Sequence, residues 1–462
     1  MCTRNRILAA ALLAVPFAAS AATLCVNPGG TSGCFPTIAG ALAAAAPAGD
    51  TINVAAGTYS EGDLVVSKSV DVIGAGAGAT IVDGTNVAGS VFRYLGFPSF
   101  VTSRLARMTI QHGLRGVDLG GSNTVTLDHV HVTRNGPWTG AGVFNGSSVM
   151  HLESSLVDYN SATDLGSING CDWGGASGGG VASLCGGGNN YITHSTIANN
   201  ISGRWGAGVM VNDGITVIEN STITGNVAQS TISALGGSAL FVGGSFPDVT
   251  VRYSTIAGND ASASNGGAVQ SDGHVKLYAT LLQRNAGGAC SPIAATVSLG
   301  YNLASDATCP FAAVGDGNNV DAQLQPLADN GGDTPTMALP AMSPAVDRIP
   351  AAACAETRDQ DGVARPQHGA CDVGAYERVW TTEDLAALLL SQVVGSADTA
   401  TFISKFSTIV NLVLNGHPNL ACQVLPNFSS QLENLAARGK IDPATAAAIA
   451  QSVKDLEASV GC

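Results

Sequence analysis

Arg252-Tyr253 and Lys276 with Tyr278 fall on adjoining repeats and form the grouping best suited to chemistry in this sequence. A positioned basic side chain can take a proton from a substrate, so Arg252 or Lys276 is the candidate base and the two tyrosines its companions. A second set is acidic and lies in oxygen-rich turns: Asp316 in GDGNN, Asp329 with Asp333, and Asp359 with Asp361. Such turns offer the hard oxygen donors that calcium takes. Calcium is therefore the one cofactor the sequence admits, and no motif requires any. The sequence has no phosphate-binding glycine loop, HExxH or helix-loop-helix calcium loop, and its one GxSxG match, Gly175 to Gly179, falls in a glycine-rich loop rather than a strand-to-helix turn. Nucleotide, serine-esterase and zinc-protease chemistries lack support.

What must position these residues is a repeat. VTLDHVHVTRN ends at Asn135, and matching stretches end at Asn160, Asn200, Asn226, Asn259 and Asn285, at spacings of 25, 40, 26, 33 and 26 residues. Units of this length with strand chemistry in each are the mark of a β-solenoid, in which no coil buries its inner face alone. Three residues before each asparagine stand Val132, Val157, Ile197, Ile223, Ile256 and Leu282; eight before stand Leu127, Leu152, Ile192, Ile218, Val251 and Leu277. Both sets are expected to stack as aliphatic columns in the core. Ser155, Ser195, Ser221, Ser254 and Thr280 form a small polar column at the bend. The asparagines suit a left-handed turn and a coil-to-coil amide ladder, a structural role.

A further strand follows a glycine pair in each unit, and its outward residues are expected to be Phe144, Ala182, Met210, Phe241 and Gln270. None is charged, which is poor ground for catalysis there. Asp128, Glu153, Glu219, Arg252 and Tyr278 form another outward column beside His151, Tyr191 and Lys276, with His129, His194 and Tyr253 near the bend. A mixed face of this kind is the ordinary solvated surface of a solenoid.

Residues 1–21 read as a secretory signal: Arg4 and Arg6, an apolar run from Ile7 to Phe17, then small residues to Ala21. The expected compartment is therefore outside the cytoplasm: secreted, periplasmic or on the surface of a bacterium. No later run is long and apolar enough for a transmembrane span. Removing the signal takes Cys2 with it and leaves ten cysteines, an even number suited to an oxidising compartment. Sequence neighbours stay close in a solenoid, so the pairs expected are Cys25 with Cys34, Cys171 with Cys185, Cys290 with Cys309, Cys354 with Cys371 and Cys422 with Cys462. The signal contributes two arginines and no acids, so its loss takes the net charge from −14 to −16. That charge makes nucleic acid a poor partner. Few aromatics appear, and composition shows no sugar-binding platform.

The stretch 37–46 is expected to form a helix capping the open end of the stack, followed by GDTINVAAGTYSE, VIGAG and IVDG. This order resembles the N-terminal cap and first coils of pectin-lyase-like proteins, which implies a right-handed parallel β-helix over residues 22–300. In residues 301–379, DNGGDTPTMAL, SPAVD, RDQDGVARP and DVGAYE are similar to the choice-of-anchor Q domain, with Met337 where that family usually has histidine. Residues 380–462 read as helices, and LACQVLPNFSSQLENLAARGKIDPATAAAIAQSV is similar to the FIMAH domain, a small all-α appendage. The fold class expected is thus mainly β with a small C-terminal helical domain.

The first resemblance implies a polysaccharide lyase, with a Lys or Arg base and a cation, or a glycoside hydrolase with clustered acids. The uncharged third-strand column argues against both. The function expected is a non-catalytic module binding glycan or a cell-envelope partner. A polysaccharide-active enzyme is the alternative, and a passive structural exoprotein the third reading.

Overall fold

The computed structural model describes residues 21–462 apart from 86, 97–99, 165–174, 185, 187, 230–235, 245–246, 265, 272–274, 292–295, 383, 386–403, 405–406, 410, 414, 416 and 440–442. The expected signal segment and much of the helical stretch expected over 399–414 lie outside the described residues.

Coils stack through three long parallel sheets of eleven, ten and eight strands. One coil contributes, for example, Val149–Glu153 to the first sheet and Leu156–Asp158 to the second, and the chain then reaches the third at Val181–Ser183. The architecture is a parallel β-helix. Its register joins Leu127, Leu152, Ile192, Ile218, Val251 and Leu277 in the first sheet. Val132, Val157, Ile197, Ile223, Ile256 and Leu282 are joined in the same way in the second. All are buried in one continuous core. Burying each such side chain contributes about 1.5–3 kcal/mol relative to exposure.

The turn chemistry differs from expectation in one respect. The ladder asparagines are not themselves left-handed; the residue before each is, as at Arg134, Tyr159, Asn199 and Arg284. That arrangement frees the asparagine side chain to point inward. Asn160 Nδ2 donates to Val132 O at 2.9 Å and to Asn200 Oδ1 at 3.0 Å, and the amide ladder continues through Asn226, Asn259 and Asn285. The bend between the first and second sheets repeats a left-handed residue in each coil: Arg107, His129, Ser154, His194, Asn220, Tyr253, Ala279 and Tyr301. Beneath it Ser155, Ser195, Ser221 and Ser254 hydroxyls accept from the coil before.

Helix Ile38–Ala44 closes the N-terminal end, with Thr37 Oγ1 accepting from Gly40 N and the Glu61 carboxylate from Ile38 and Ala39 N–H. These acceptors satisfy donors that a helix start leaves free. Ile38, Ala41 and Leu42 are buried over the first coil.

Past the last coil the chain turns back as a strap along the outside of the second sheet. Ala322 N–H donates to Gln283 Oε1, Thr334 Oγ1 bonds His194 O, and Ala375 N–H donates to Thr255 Oγ1. The strap buries a core of its own around Leu339, Ile349 and Val373, shared with Tyr253 and Leu281. Helices Pro418–Ala437 and Pro443–Val460 pack through Leu425, Phe428, Leu432, Ile449, Val453 and Leu456 as a separate core. Neither is long and apolar enough to cross a membrane, and no other helix among the described residues is.

Disulfides join Cys25–Cys34, Cys290–Cys309, Cys354–Cys371 and Cys422–Cys462. Four such bonds fit a secreted protein. These are four of the five expected pairs; the fifth, Cys171 with Cys185, lies outside the described residues. The pairing expected for Cys171 and Cys185 therefore rests on the sequence alone.

Candidate functional site

The outward column of the third sheet is longer than its glycine-pair signature suggests. Its register runs Val65, Arg93, Asp118, Phe144, Ala182, Met210, Phe241, Gln270. Glycine precedes these strands because the next coil comes very close. A Cβ on Gly142 would stand 2.4 Å from Gly180 O, and one on Gly180 would stand 2.6 Å from Gly208 O.

Two coils ahead of the expected column thus bring in charge. Arg93 Nη2 lies 3.0 Å from Asp63 Oδ1, and Arg115 Nη1 lies 3.1 Å from Asp118 Oδ2. The buried Arg115 guanidinium also donates to Thr139 O, with its centre 4.0 Å from the Phe144 ring and 5.6 Å from the Trp138 ring. Trp138 and Arg93 border a cleft of about 250 Å³ with Asp63, Ser90 and Asp118. Farther along, Trp205 stacks on Phe241 at 5.3 Å between centroids, above the buried Ala182, Leu184 and Met210. Two of the chain's four tryptophans, both half-buried, therefore flank one face. Composition does not reveal this; placement does.

The strap covers most of the grouping expected to be catalytic. Tyr253 is fully buried; its hydroxyl accepts from Ala355 N–H at 2.8 Å, and Arg365 stands over its ring at 4.9 Å. Tyr278 meets Tyr253 edge-on and donates to Ala353 O. Arg252 pairs with Glu219 at 2.5 Å and reaches Glu356 at 3.6 Å. Lys276 stands aside from the strap, paired with Asp248 at 2.8 Å. Burial and the adjacent Glu219 push the Glu356 carboxyl up to about 7, although Arg252 opposes this. Strand periodicity gave no sign of Glu356, which reaches the site from the strap.

No protein-family model matches the chain, and no curated protein matches its sequence. Among solved structures it is similar to pectate lyase Pel9A, with 15% identity, a TM-score of 0.41, and coverage of 78% of this chain and 97% of that one. It is also similar to the deglycosylated pectin methylesterase from Aspergillus niger, with 13% identity, a TM-score of 0.40, and coverage of 61% and 91%.

The expected calcium carboxylates are engaged elsewhere. Asp316 accepts from Ser298 Oγ, Asn302 N and Ala313 N, and Asp359 from Val363 N and Glu377 N. Asp329 caps Gly331 N–H, while Asp333 reaches His129. Asp361 accepts from Thr336 Oγ1, and burial raises its carboxyl to about 6, helped by Asp359 and Asp329. Among the described residues no three His, Cys, Asp or Glu side chains group closely enough to hold an ion.

The recurring polar residues of the strap have a structural task. Gln360 bonds Thr196, Thr222 and Thr334, tying the strap to two coils. Arg365 and Glu377 form a fully buried ion pair at 3.0 Å, and Arg365 also donates to Asp372 O and Gly374 O.

Proposed function

We propose that the protein is a secreted or cell-surface module that binds a polysaccharide, or another cell-envelope component, along the outward face of its third sheet without transforming it. The observation that carries this reading is the placement of Trp138 and Trp205 beside the column Arg93–Asp118–Phe144–Phe241. Indole rings offer apolar area with a polar edge, and the charged residues at the N-terminal end supply directional hydrogen bonds. The charges here are already matched: Arg93 with Asp63 and Arg115 with Asp118. A matched pair orients a ligand but makes a weak base. The reading calls for no cofactor.

One observation favours a polysaccharide-cleaving enzyme as the second reading. Glu219 and Glu356 are adjacent carboxylates that share Arg252, and burial raises Glu356 to about 7. Paired carboxylates, one of them able to hold a proton near neutral pH, are the usual equipment of glycoside hydrolysis. Incubating the full chain with a panel of polysaccharides, with and without calcium, and then probing a glycan array separates the two. Binding without new chain ends supports the module; unsaturated uronate or new reducing ends would replace it with the enzyme.

A further inference from the structure

The left-handed bend residues Arg107, His129 and Ser154 lie on successive coils, and the strap stops covering the second sheet where they begin. There they line a cleft of about 400 Å³ with His131, Leu156 and Asp333, a size ordinary for small-ligand sites. Successive coils stand about 4.8 Å apart, so the three side chains project as a comb along one edge.

Each charged or titratable side chain in this cleft is held, with one exception. His129 Nδ1 lies 2.5 Å from Asp128 Oδ1, and Asp128 is itself paired with Arg104. His131 Nε2 lies 2.8 Å from Asp158 Oδ1. On its other side His129 Nε2 meets Asp333 Oδ2 at 3.1 Å, and that aspartate, at the strap's turn, is 59% exposed. The exception is Arg107, an exposed cation whose guanidinium makes no hydrogen bond or ion pair among the described residues.

We propose that this cleft is a binding site for a carboxylate-bearing ligand, whose carboxylate takes the place of Asp333 on His129 and is met by Arg107 from the same cleft. Asp333 is the stand-in: it shows that a planar two-oxygen anion fits against His129. Its exposed side chain can swing out while Thr334 and Gln360 keep the strap seated. A single negative charge suits the site, because Asp128 and Asp158 stand behind the histidines and would repel a phosphate dianion. Arg107 adds a forked donor geometry matched to a carboxylate. The site lies on the bend between the first and second sheets, apart from the third-sheet face, so it does not depend on the polysaccharide reading.

The test is calorimetric titration of the full chain with glucuronate, propionate, glucose and inorganic phosphate. Either acid should bind; a preference for glucuronate assigns a sugar acid, and equal binding assigns the carboxylate alone. Arg107→Gln should weaken the acid about tenfold, the loss expected of one charge-assisted contact. Asp333→Ala, by removing an internal competitor of high effective concentration, should strengthen it several-fold. Both residues are exposed, so neither change threatens the fold. Glucose or phosphate binding as tightly as the acids, no binding by either acid, or Asp333→Ala leaving affinity unchanged or lower would each overturn the assignment.

Discussion

Asn160 and Asn200 are forty positions apart in the chain and one coil apart in space: Asn160 Nδ2 and N–H both donate to Asn200 Oδ1, each at 3.0 Å. Asn200 in turn donates to Val157 O and to Asn226. Asn200→Ala strands two donors and one carbonyl in a buried turn, where each unsatisfied group costs about 1–3 kcal/mol. The expected loss is about 3 kcal/mol, read by denaturant unfolding. A loss below about 1 kcal/mol would show the ladder to be ornamental.

Arg365 and Glu377 lie wholly inside the strap. Removing one partner of a buried pair leaves an uncompensated charge, which typically costs about 3–5 kcal/mol. Arg365→Met should therefore loosen the strap to protease while the coils keep their circular dichroism. Adding Glu377→Gln should recover part of the loss.

Stability should depend on pH through Glu356. Its folded affinity, near 7, exceeds the ordinary 4.5 through burial and Glu219. Between those values the folded chain keeps a proton that the unfolded chain releases, so stability falls as pH rises and levels off above about 7. Glu356→Gln should flatten this slope in thermal melts taken across that range. An unchanged slope would move its origin to other raised carboxyls of the strap, Asp361 and Asp372.

The Cys422–Cys462 bond spans a sequence separation of 40 and clamps the terminal helix pair. Loop entropy assigns such a bond roughly 4 kcal/mol. Replacing both cysteines with serine should melt the helices at lower denaturant and leave the β-helix transition in place, because the two cores are separate.

The core columns were legible because burial imposes a strict period on Ile197, Ile223 and Ile256. The bonds Cys25–Cys34 and Cys290–Cys309 were legible because a coil keeps its sequence neighbours close. Cys171 and Cys185 fall in an insertion between repeats, outside the described residues. Tyr253 and Tyr278 were not legible as covered residues, since periodicity says which way a side chain points and nothing about what later packs over it. The strap is an element of long sequence separation, and Gln360 meets Thr196 with no local signal. Arg93 and Asp118 were missed for a different reason. Gly116-Val117-Asp118 does match Gly142-Val143-Phe144, but this coil precedes the first asparagine of the ladder, Asn135, so it lacks the repeat's clearest mark. The shift of the left-handed residue to the position before each asparagine follows from the ladder, which needs the amide turned inward.

Affinity of the full chain for polysaccharide, compared among the unmodified protein, Trp138→Ala and Trp205→Ala, tests the third-sheet face most directly, with chain ends counted in the same samples. Each substitution should weaken binding about tenfold, as loss of a half-buried aromatic anchor does, and no new ends should appear. Undiminished binding by both variants, or cleavage of the polymer by the unmodified protein, would contradict the account.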